Sequence, residues 1–282
     1  MDKDLLIAYS EAGRFTKSHY ENFPVVSLLL PKRIRKHVAI VYQFARQADD
    51  IADENFISAD HRKHDLEDYE NKLIMCEKGE FADDFWRALK NTIDTFNLST
   101  KNFHNLLVAF NMDIGKRRFI NFNEIQDYCF HSANPVGRII LEFFNIRDKD
   151  SIEYSDAICT ALQLTNFYQD VKIDFEKNRI YIPQNEMIKF NVDERVFQLK
   201  EINDNFKQLL KYQVERAREL FRDGRKLIER LPYRLKYQIA WTLLGGEKIL
   251  NKIEEIDYDV LNVRPVLTKA DYLILMLKSF VI

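Results

Sequence analysis

The chain has 282 residues, of which 46% are hydrophobic and 30% charged, and its 21 Phe and 13 Tyr make it too aromatic for a disordered polar chain. Its 7 Gly are too few for the turns of an all-β protein or for a glycine-rich nucleotide loop, and its 3 Cys exclude a disulfide scaffold and fit a reduced compartment. The formal net charge of -2 gives no basic field, so nucleic acid is not expected as a partner.

Most of the chain carries the three- and four-residue hydrophobic repeat of amphipathic helices, with charged residues in the gaps. In chain order the repeat predicts helices over 32–53, 60–78, 81–96, 100–111, 124–145, 150–175, 206–228, 233–256 and 268–280. Prolines interrupt the pattern at Pro24, Pro31 and Pro183. Because no linker or change of composition divides the chain, we expect a single all-α domain over residues 1–282.

The sequence gives no sign of a leader or a membrane span. Its first 13 residues lack the basic and apolar parts of a signal peptide, and no run approaches the roughly 18–20 apolar residues of a spanning helix. We therefore expect a cytoplasmic protein. The apolar segment 273–282 is predicted to be a docked terminal helix, and peripheral contact with a membrane is left open. Gly245-Gly246 follows no strand, so we expect close helix packing there rather than a nucleotide loop.

The first predicted helix ends with three aspartates. At about 100° per residue, with Asp49 at zero, Asp53 lies at about 40° and Asp50 at about 100°. Arg46 and Tyr42 fall at about 60° and 20° on the same scale. Three carboxylates, a guanidinium and a phenol therefore share one face.

The sixth predicted helix has a second polar face near its end. With Asp170 at zero, Asp174 lies at about 40°, and Asn166 and Gln163 lie at about -40° and 20°. Apolar residues flank this face. Paired aspartates on one face repel each other by roughly a few tenths of a kcal/mol, so a compensating cation is expected.

Oxygen ligands from aspartate suit Mg²⁺, which also binds substrate phosphates. Two acidic faces on opposite sides of a cavity could hold Mg²⁺ and a diphosphate, with Arg46 on the phosphate oxygens. However, 24 Asp in this chain predict about two such pairs by chance, and the chain has two. The spacing alone therefore decides nothing, and two solvated acidic faces are the alternative. The amide, Arg and Tyr neighbours of the pairs favour the metal–diphosphate interpretation.

Four segments of the chain resemble motifs of squalene and phytoene synthases. They are RQADDIAD at 46–53, NFYQDVKID at 166–174 with RIYIP at 179–183, YC at 128–129 with ANPVG at 133–137, and YDV at 258–260. The resemblance runs from about residue 18 to 266. It implies an isoprenoid-synthase-like helical bundle around a central apolar cavity, an activity on prenyl diphosphates, and Mg²⁺ as the cofactor.

The departures from the family pattern point to one branch. Many members that couple two prenyl diphosphates have Arg where Gln169 stands and Gly where Asn134 stands. HYENFPV at 19–25, SANPVG at 132–137 and NFYQDV at 166–171 resemble the HpnC-type branch of bacterial hopanoid pathways. This resemblance implies conversion of presqualene diphosphate to hydroxysqualene, with release of diphosphate and capture of water.

The same resemblance implies a role for each candidate residue. Asp49, Asp53, Asp170 and Asp174 are implied as Mg²⁺ ligands and Asp50 as a supporting ligand. The residues implied to contact phosphate are Arg46, Arg179, Tyr20, Asn22, Tyr42 and Tyr181. Phe23, Tyr128 and Phe167 are implied as walls that stabilise a cation, although core packing is the alternative for each. Gln163 and Asn166 either place the attacking water or satisfy buried polar groups.

Two other functions stay open from the sequence. One is a prenyl transferase of the same fold that makes presqualene diphosphate, dehydrosqualene or phytoene. The other is a non-catalytic relative that serves as an assembly or binding protein, which the intact aspartates disfavour. Expected partners are the prenyl diphosphate substrate and the released diphosphate. Binding to neighbouring enzymes of squalene synthesis is left open.

Overall fold

A computed structural model describes residues 3–18, 30–54 and 56–281 of the chain. Its helices are α1 (Lys3–Ser18), α2 (Lys32–Asp53), α3 (Ala59–Lys78), α4 (Asp84–Phe96), α5 (Thr100–Gly115), α6 (Phe122–Ser132), α7 (Asn134–Phe143), α8 (Lys149–Gln169), α9 (Val171–Glu176), α10 (Gln184–Lys189), α11 (Arg195–Leu199), α12 (Asp204–Gly224), α13 (Tyr233–Glu255) and α14 (Lys269–Ser279). A 3₁₀ helix spans Arg225–Arg230. These described residues form no strand, apart from an isolated bridge between Arg118 and Ile180. The predicted all-α fold is confirmed.

One predicted helix is two helices in the structure. The repeat predicted a single helix over 124–145, whereas α6 ends at Ser132 and α7 begins at Asn134. Pro135 explains the break, because its ring cannot continue a preceding helix but fits the first turn of a new one. The prediction of one continuous helix here was therefore wrong.

The helix predicted over 150–175 is also divided. Asp170, with φ -106° and ψ 18°, separates α8 from α9. Hydrogen bonds of 2.9 Å nevertheless join Asp170 N to Asn166 O and Asp174 N to Asp170 O. The two aspartates therefore stay one turn apart in the backbone. Helix α1 was not predicted at all, although Leu5, Ala8, Tyr9 and Ala12 form its buried stripe.

The described chain divides into two compact units. The first comprises Met1–Gly115 with Pro135–Lys149. In its core the Phe44 ring lies 5.2 Å from the Phe103 ring and 6.1 Å from the Trp86 ring, centroid to centroid. The second unit comprises Lys116–Asn134 with Asp150–Ile282. A single domain over the whole chain stays a prediction.

Two glycines allow close helix packing in the second unit. A Cβ on Gly246 of α13 would lie 2.5 Å from the Phe221 ring and 2.9 Å from Leu162 Cδ2. A Cβ on Gly224 of α12 would lie 2.4 Å from Ile158 Cγ1. The expectation of close packing at Gly245-Gly246 is thus confirmed at Gly246. None of the helices formed by the described residues is long and apolar enough to cross a membrane.

Candidate active-site residues

The first acidic segment lies in the C-terminal part of α2, where Arg46 pairs with two of its aspartates. Arg46 Nη1 lies 3.2 Å from Asp49 Oδ2, and its Nη2 lies 2.9 Å from Asp50 Oδ1. Burial opposes the charge of Arg46, but the Asp49 and Asp50 carboxylates raise the pKa of its guanidinium. The structure thus brings these three side chains together at the exposed end of the helix.

The Asp49 carboxyl has a strongly negative environment. Burial raises its pKa to about 6, and the carboxylates of Asp53 and Asp113 add to the rise, whereas Arg46 opposes it. Asp113 is buried in the last turn of α5. The sequence reasoning missed Asp113, because no motif or spacing relates it to α2. A group of carboxylates that is only partly neutralised favours the binding of a cation.

The end of α2 also needs support, because acids at a helix C-terminus oppose the helix dipole. The last turn of α2 has no basic side chain of its own. Arg62 of α3 supplies one, since its Nη1 donates a hydrogen bond of 2.5 Å to the carbonyl oxygen of Ala52. Only 6% of Arg62 is exposed. A buried guanidinium therefore stabilises the turn that carries Asp53.

The remaining candidates from the N-terminal part of the chain are only partly described. Tyr42 lies one turn before Arg46 on α2, and its ring centroid is 6.4 Å from that of Phe15 on α1. Tyr20, Asn22 and Phe23 lie outside the described residues. Their implied roles stay predictions.

In the second unit, Asp170 is held by a residue that the sequence reasoning missed. Arg264 Nε lies 2.5 Å from Asp170 Oδ1, and Arg264 Nη2 lies 3.1 Å from Asp170 Oδ2. The guanidinium thus meets the carboxylate through two parallel hydrogen bonds, which is the strongest geometry for this pair. Asp174 follows one turn later on α9.

The amides near Asp170 differ in burial. Gln169 is 2% exposed, and its Nε2 donates a hydrogen bond of 2.5 Å to the carbonyl oxygen of Pro265. Asn166 and Gln163 lie on α8, one and two turns before Asp170, and both are half-buried. Gln169 therefore ties the end of α8 to the segment that contains Arg264.

Three aromatic candidates form one cluster together with Phe119. The rings of Phe167 and Tyr181 are stacked with centroids 3.8 Å apart and an interplanar angle of 5°. Tyr128 lies 5.8 Å from Phe167 and 5.7 Å from Tyr181, and Phe119 lies 5.4 Å from Tyr181. All four are buried. The stacking covers one face of Phe167, so that face is closed to a ligand.

Asp174 and Arg179 line a crevice of about 10 Å³ beside this cluster, together with Phe167 and Tyr181. The backbone N of Arg179 donates a hydrogen bond of 2.8 Å to the carbonyl oxygen of Asp174. Arg179 is 8% exposed. The turn after α9 thus brings a cation, an acid and two rings to one place.

Arg118 fixes this turn, although the sequence reasoning did not select it. Its guanidinium donates hydrogen bonds of 2.6 and 2.8 Å to the two carboxylate oxygens of Glu194. It donates another of 2.7 Å to the carbonyl oxygen of Asn178. The basic pair Arg117-Arg118 was the available signal, but Glu194 lies 76 residues away.

The donor set fits a hard divalent cation. Asp49 lies among carboxylates that raise its pKa, and the acids of both segments offer oxygen ligands only. Within the described residues no three His, Cys, Asp or Glu side chains form a metal-binding group. A cation bound at either segment would draw further ligands from water and phosphate oxygens, as Mg²⁺ commonly does.

Comparisons with known proteins agree with the motifs. The model of the squalene/phytoene synthase family matches residues 16–271. The chain is 30% identical over 239 residues to the hydroxysqualene synthase of Sinorhizobium fredii, with coverage of 84% of this chain and 80% of that protein. It is 28% identical over 269 residues to the 15-cis-phytoene synthase of Synechococcus elongatus, with coverage of 91% and 87%.

A solved structure extends the likeness to the fold. The crystal structure of the squalene synthase HpnC from Alicyclobacillus acidocaldarius superposes with a TM-score of 0.86 at 36% identity. The match covers 92% of this chain and 97% of that one. Sequence and fold therefore point to the same group of proteins.

Proposed function

Because the chain belongs to the squalene/phytoene synthase family, whose members act on prenyl diphosphates, we propose that it converts presqualene diphosphate and water to hydroxysqualene and diphosphate. The 30% identity to a hydroxysqualene synthase supports this reaction. The 36% identity to the squalene synthase HpnC agrees with the HpnC-type segments of the sequence. The reaction breaks one C–O bond, whose electron pair leaves with the diphosphate. Water forms a new C–O bond and gives up one proton, which the departing diphosphate can accept.

The choice of presqualene diphosphate as substrate rests on one observation, which is the neutral and buried side chain of Gln169. Coupling two prenyl diphosphates requires two highly charged groups to be bound, whereas presqualene diphosphate carries one. At the position where many coupling members have Arg, this chain has a neutral amide that is buried and bonded to the Pro265 carbonyl. Without a cation at this position, less positive charge is present to balance two diphosphates, which favours a substrate that carries only one.

We propose that Asp49, Asp53, Asp170 and Asp174 hold Mg²⁺, with Asp50 in support. When bound, Mg²⁺ neutralises the diphosphate and makes it a better leaving group.

Four further residues are proposed to bind the phosphate oxygens. Arg46 and Arg179 supply positive charge, and Tyr42 donates a hydrogen bond. Arg179 is suited to this role by its burial, since a desolvated charge acts more strongly on a phosphate. Tyr181, which stacks on Phe167, is proposed to orient its hydroxyl towards the same group.

Loss of diphosphate leaves a cyclopropylcarbinyl cation, which rearranges by ring opening. The buried cluster of Tyr128, Phe167 and Tyr181 supports this step, because aromatic faces stabilise positive charge by roughly 0.5–2 kcal/mol each. Burial of these rings also keeps bulk water from the cation. Asn166 and Gln163, half-buried on α8, are proposed to place the one water that is captured.

The test is product analysis with each candidate substrate. The purified protein is incubated with Mg²⁺ and either presqualene diphosphate or farnesyl diphosphate, in water enriched in ¹⁸O, and the lipids are identified by mass spectrometry. We expect hydroxysqualene with one ¹⁸O from presqualene diphosphate and no product from farnesyl diphosphate. Consumption of farnesyl diphosphate alone would overturn the proposal.

The alternative is a coupling enzyme that joins two prenyl diphosphates. The 28% identity to a phytoene synthase over 91% of the chain favours it. The same experiment separates the two, because a coupling enzyme consumes two prenyl diphosphates per product, releases one or both diphosphates, and incorporates no ¹⁸O. If this protein converts presqualene diphosphate to hydroxysqualene, another enzyme must make presqualene diphosphate from two farnesyl diphosphates. A physical contact between that enzyme and this protein stays a proposal.

A further inference from the structure

The outer side of α14 is an exposed apolar surface. Its residues are between 49% and 86% exposed. We call this surface the α14 apolar face, which consists of Leu273, Ile274, Leu277, Phe280 and Val281.

The other side of α14 is firmly attached to the second unit. Leu275 and Ser279 are buried with 6% and 0% exposure. Lys252 Nζ of α13 lies 3.0 Å from Asp271 Oδ2. Thr268 and Asp271 form a capping box that fixes the first turn. The orientation of the helix is thus set, and the apolar face is presented outward by a rigid element.

Two exposed lysines of α14 flank the face. At about 100° per residue, Leu273, Ile274 and Leu277 lie within about 100° of one another. Lys269 and Lys278 fall on the two flanks of this arc, and both are exposed. The one acid in residues 269–281 is Asp271, which is engaged with Lys252. An apolar stripe between two lysines is the pattern of a helix that lies in a membrane interface.

Aromatic side chains continue the face onto the start of α13. The Phe280 and Tyr237 rings lie 4.7 Å apart, and Tyr237 lies 4.7 Å from Tyr233. Tyr233 is 73% exposed and is followed by the exposed Arg234. Tyrosine suits the level of lipid headgroups, because its ring is apolar and its hydroxyl is polar.

We propose that the α14 apolar face docks the protein onto the surface of a bilayer that contains anionic lipid. A second copy of the chain is the less favoured occupant, since a stable protein interface needs roughly 20–30 residues a side and this face has five. The preference for lipid rests in part on the proposed function, because prenyl substrates and products partition into bilayers. The docking itself requires no turnover.

The test is flotation of the full chain, without substrate or metal, with two kinds of vesicle. One contains phosphatidylcholine alone and the other phosphatidylcholine with phosphatidylglycerol. We expect binding to the second kind, and a loss of about tenfold in the L273S/L277S double variant. K269E/K278E is expected to lose the preference for anionic vesicles while keeping weak binding.

The double variant I188S/L199S is the matched control, because Ile188 and Leu199 are exposed by 75% and 62% in the same unit but belong to α10 and α11. It should bind vesicles as the unchanged protein does. The proposal is overturned if the unchanged protein binds neither kind of vesicle, or if L273S/L277S binds as well as the control. It is also overturned if L273S/L277S converts a dimer to a monomer in sedimentation velocity, since a second copy would then cover the face.

Turnover of detergent-dispersed presqualene diphosphate separates this proposal from the proposed function. We expect L273S/L277S to keep that turnover while it loses vesicle binding. Vesicle binding without turnover would leave the docking surface standing and contradict only the reaction.

Discussion

Arg264 closes on Asp170 through two hydrogen bonds, and this pair joins residues that are 94 positions apart in the chain. Both carboxylate oxygens of a proposed metal ligand are therefore engaged by a guanidinium. A cation that binds Asp170 must share the carboxylate with Arg264 or displace it. The pair thus sets how readily the second acidic segment accepts a metal ion.

We predict that R264Q binds divalent cations more tightly in the absence of any diphosphate. Removing the guanidinium frees both oxygens of Asp170, so the apparent affinity should rise by about three- to tenfold, which corresponds to the strength of one partly exposed charged pair. Isothermal titration with Mg²⁺, or electron paramagnetic resonance with Mn²⁺, measures the change.

R225Q is the control for this prediction. Arg225 pairs with both oxygens of Glu247 at 2.7 Å, and the exposure of that pair, 37% and 25%, matches the 38% and 23% of Arg264 and Asp170. It should leave cation affinity unchanged. Equal affinity in R264Q and R225Q would contradict the prediction.

A second prediction concerns Asp49. Replacing this residue is expected to keep or raise the stability of the fold but to remove the activity. Its folded-state pKa of about 6 lies above the usual value, so the fold favours the neutral form, and the ionised form is destabilising at pH 7. D49N should therefore unfold at the same or a slightly higher temperature without metal, with a gain of at most about 1 kcal/mol after allowance for solvent screening. It should lose turnover by about a hundredfold or more, because the proposed metal ligand is gone.

Thermal unfolding in chelator and steady-state turnover in Mg²⁺ test the two parts. D170N should lose turnover in the same way. D68N, which changes an aspartate that is 57% exposed on α3, should affect neither. Full activity in D49N and D170N would remove the metal assignment, and an unfolded D49N would contradict the stability argument.

The sequence predicts contacts of the candidate site between residues close together in the chain, but not contacts between residues far apart in it. The grouping of Arg46 with Asp49 and Asp50 follows from helix periodicity alone, because the partners are three and four residues apart. Arg264 and Asp113 could not be found that way, since their partners lie on other helices and no spacing encodes the contact.

The helix boundaries show the same division. Pro135 carried a local signal for the break before α7, which the hydrophobic repeat overrode in our prediction. The break at Asp170 had no such signal in its own residues. The structure instead shows a tertiary contact beside it, the bond from Gln169 to the Pro265 carbonyl.

A third prediction concerns Arg62, which donates to the Ala52 carbonyl at the end of α2. R62M removes the hydrogen bond and a buried positive charge beside an acidic helix end, so the free energy of unfolding should fall by about 2–3 kcal/mol. R62K keeps the charge and should recover part of the loss. Urea unfolding monitored by circular dichroism measures both.

R14M is the reference for this series, because Arg14 is 74% exposed and pairs only at 3.7 Å with Glu11. Its stability should stay within about 0.5 kcal/mol of the unchanged protein. If R62M were as stable as R14M, the hydrogen bond from Arg62 to the end of α2 would make no measurable contribution to the free energy of unfolding.

The last prediction concerns His37, which lies in a buried polar cluster of the first unit. Its Nδ1 lies 2.8 Å from Thr92 Oγ1 and 3.1 Å from Tyr9 Oη, and only 5% of the residue is exposed. Burial, and secondarily the charge of Lys36, lowers its pKa to about 4. The unfolded chain takes up the proton near pH 6.5, whereas the folded chain does so only near pH 4.

The contribution of His37 is therefore fully present above about pH 6.5 and is lost as the pH falls towards 4, by at most about 3 kcal/mol. Urea unfolding at pH 7, 5.5 and 4.5 should show this loss in the unchanged protein. H37Q keeps a hydrogen-bonding side chain without the titration, so its stability should fall less over the same range. H61Q, which changes a histidine that is 60% exposed, should follow the unchanged protein. If H37Q and H61Q showed the same dependence on pH, protonation of His37 would not be the cause of the acid sensitivity.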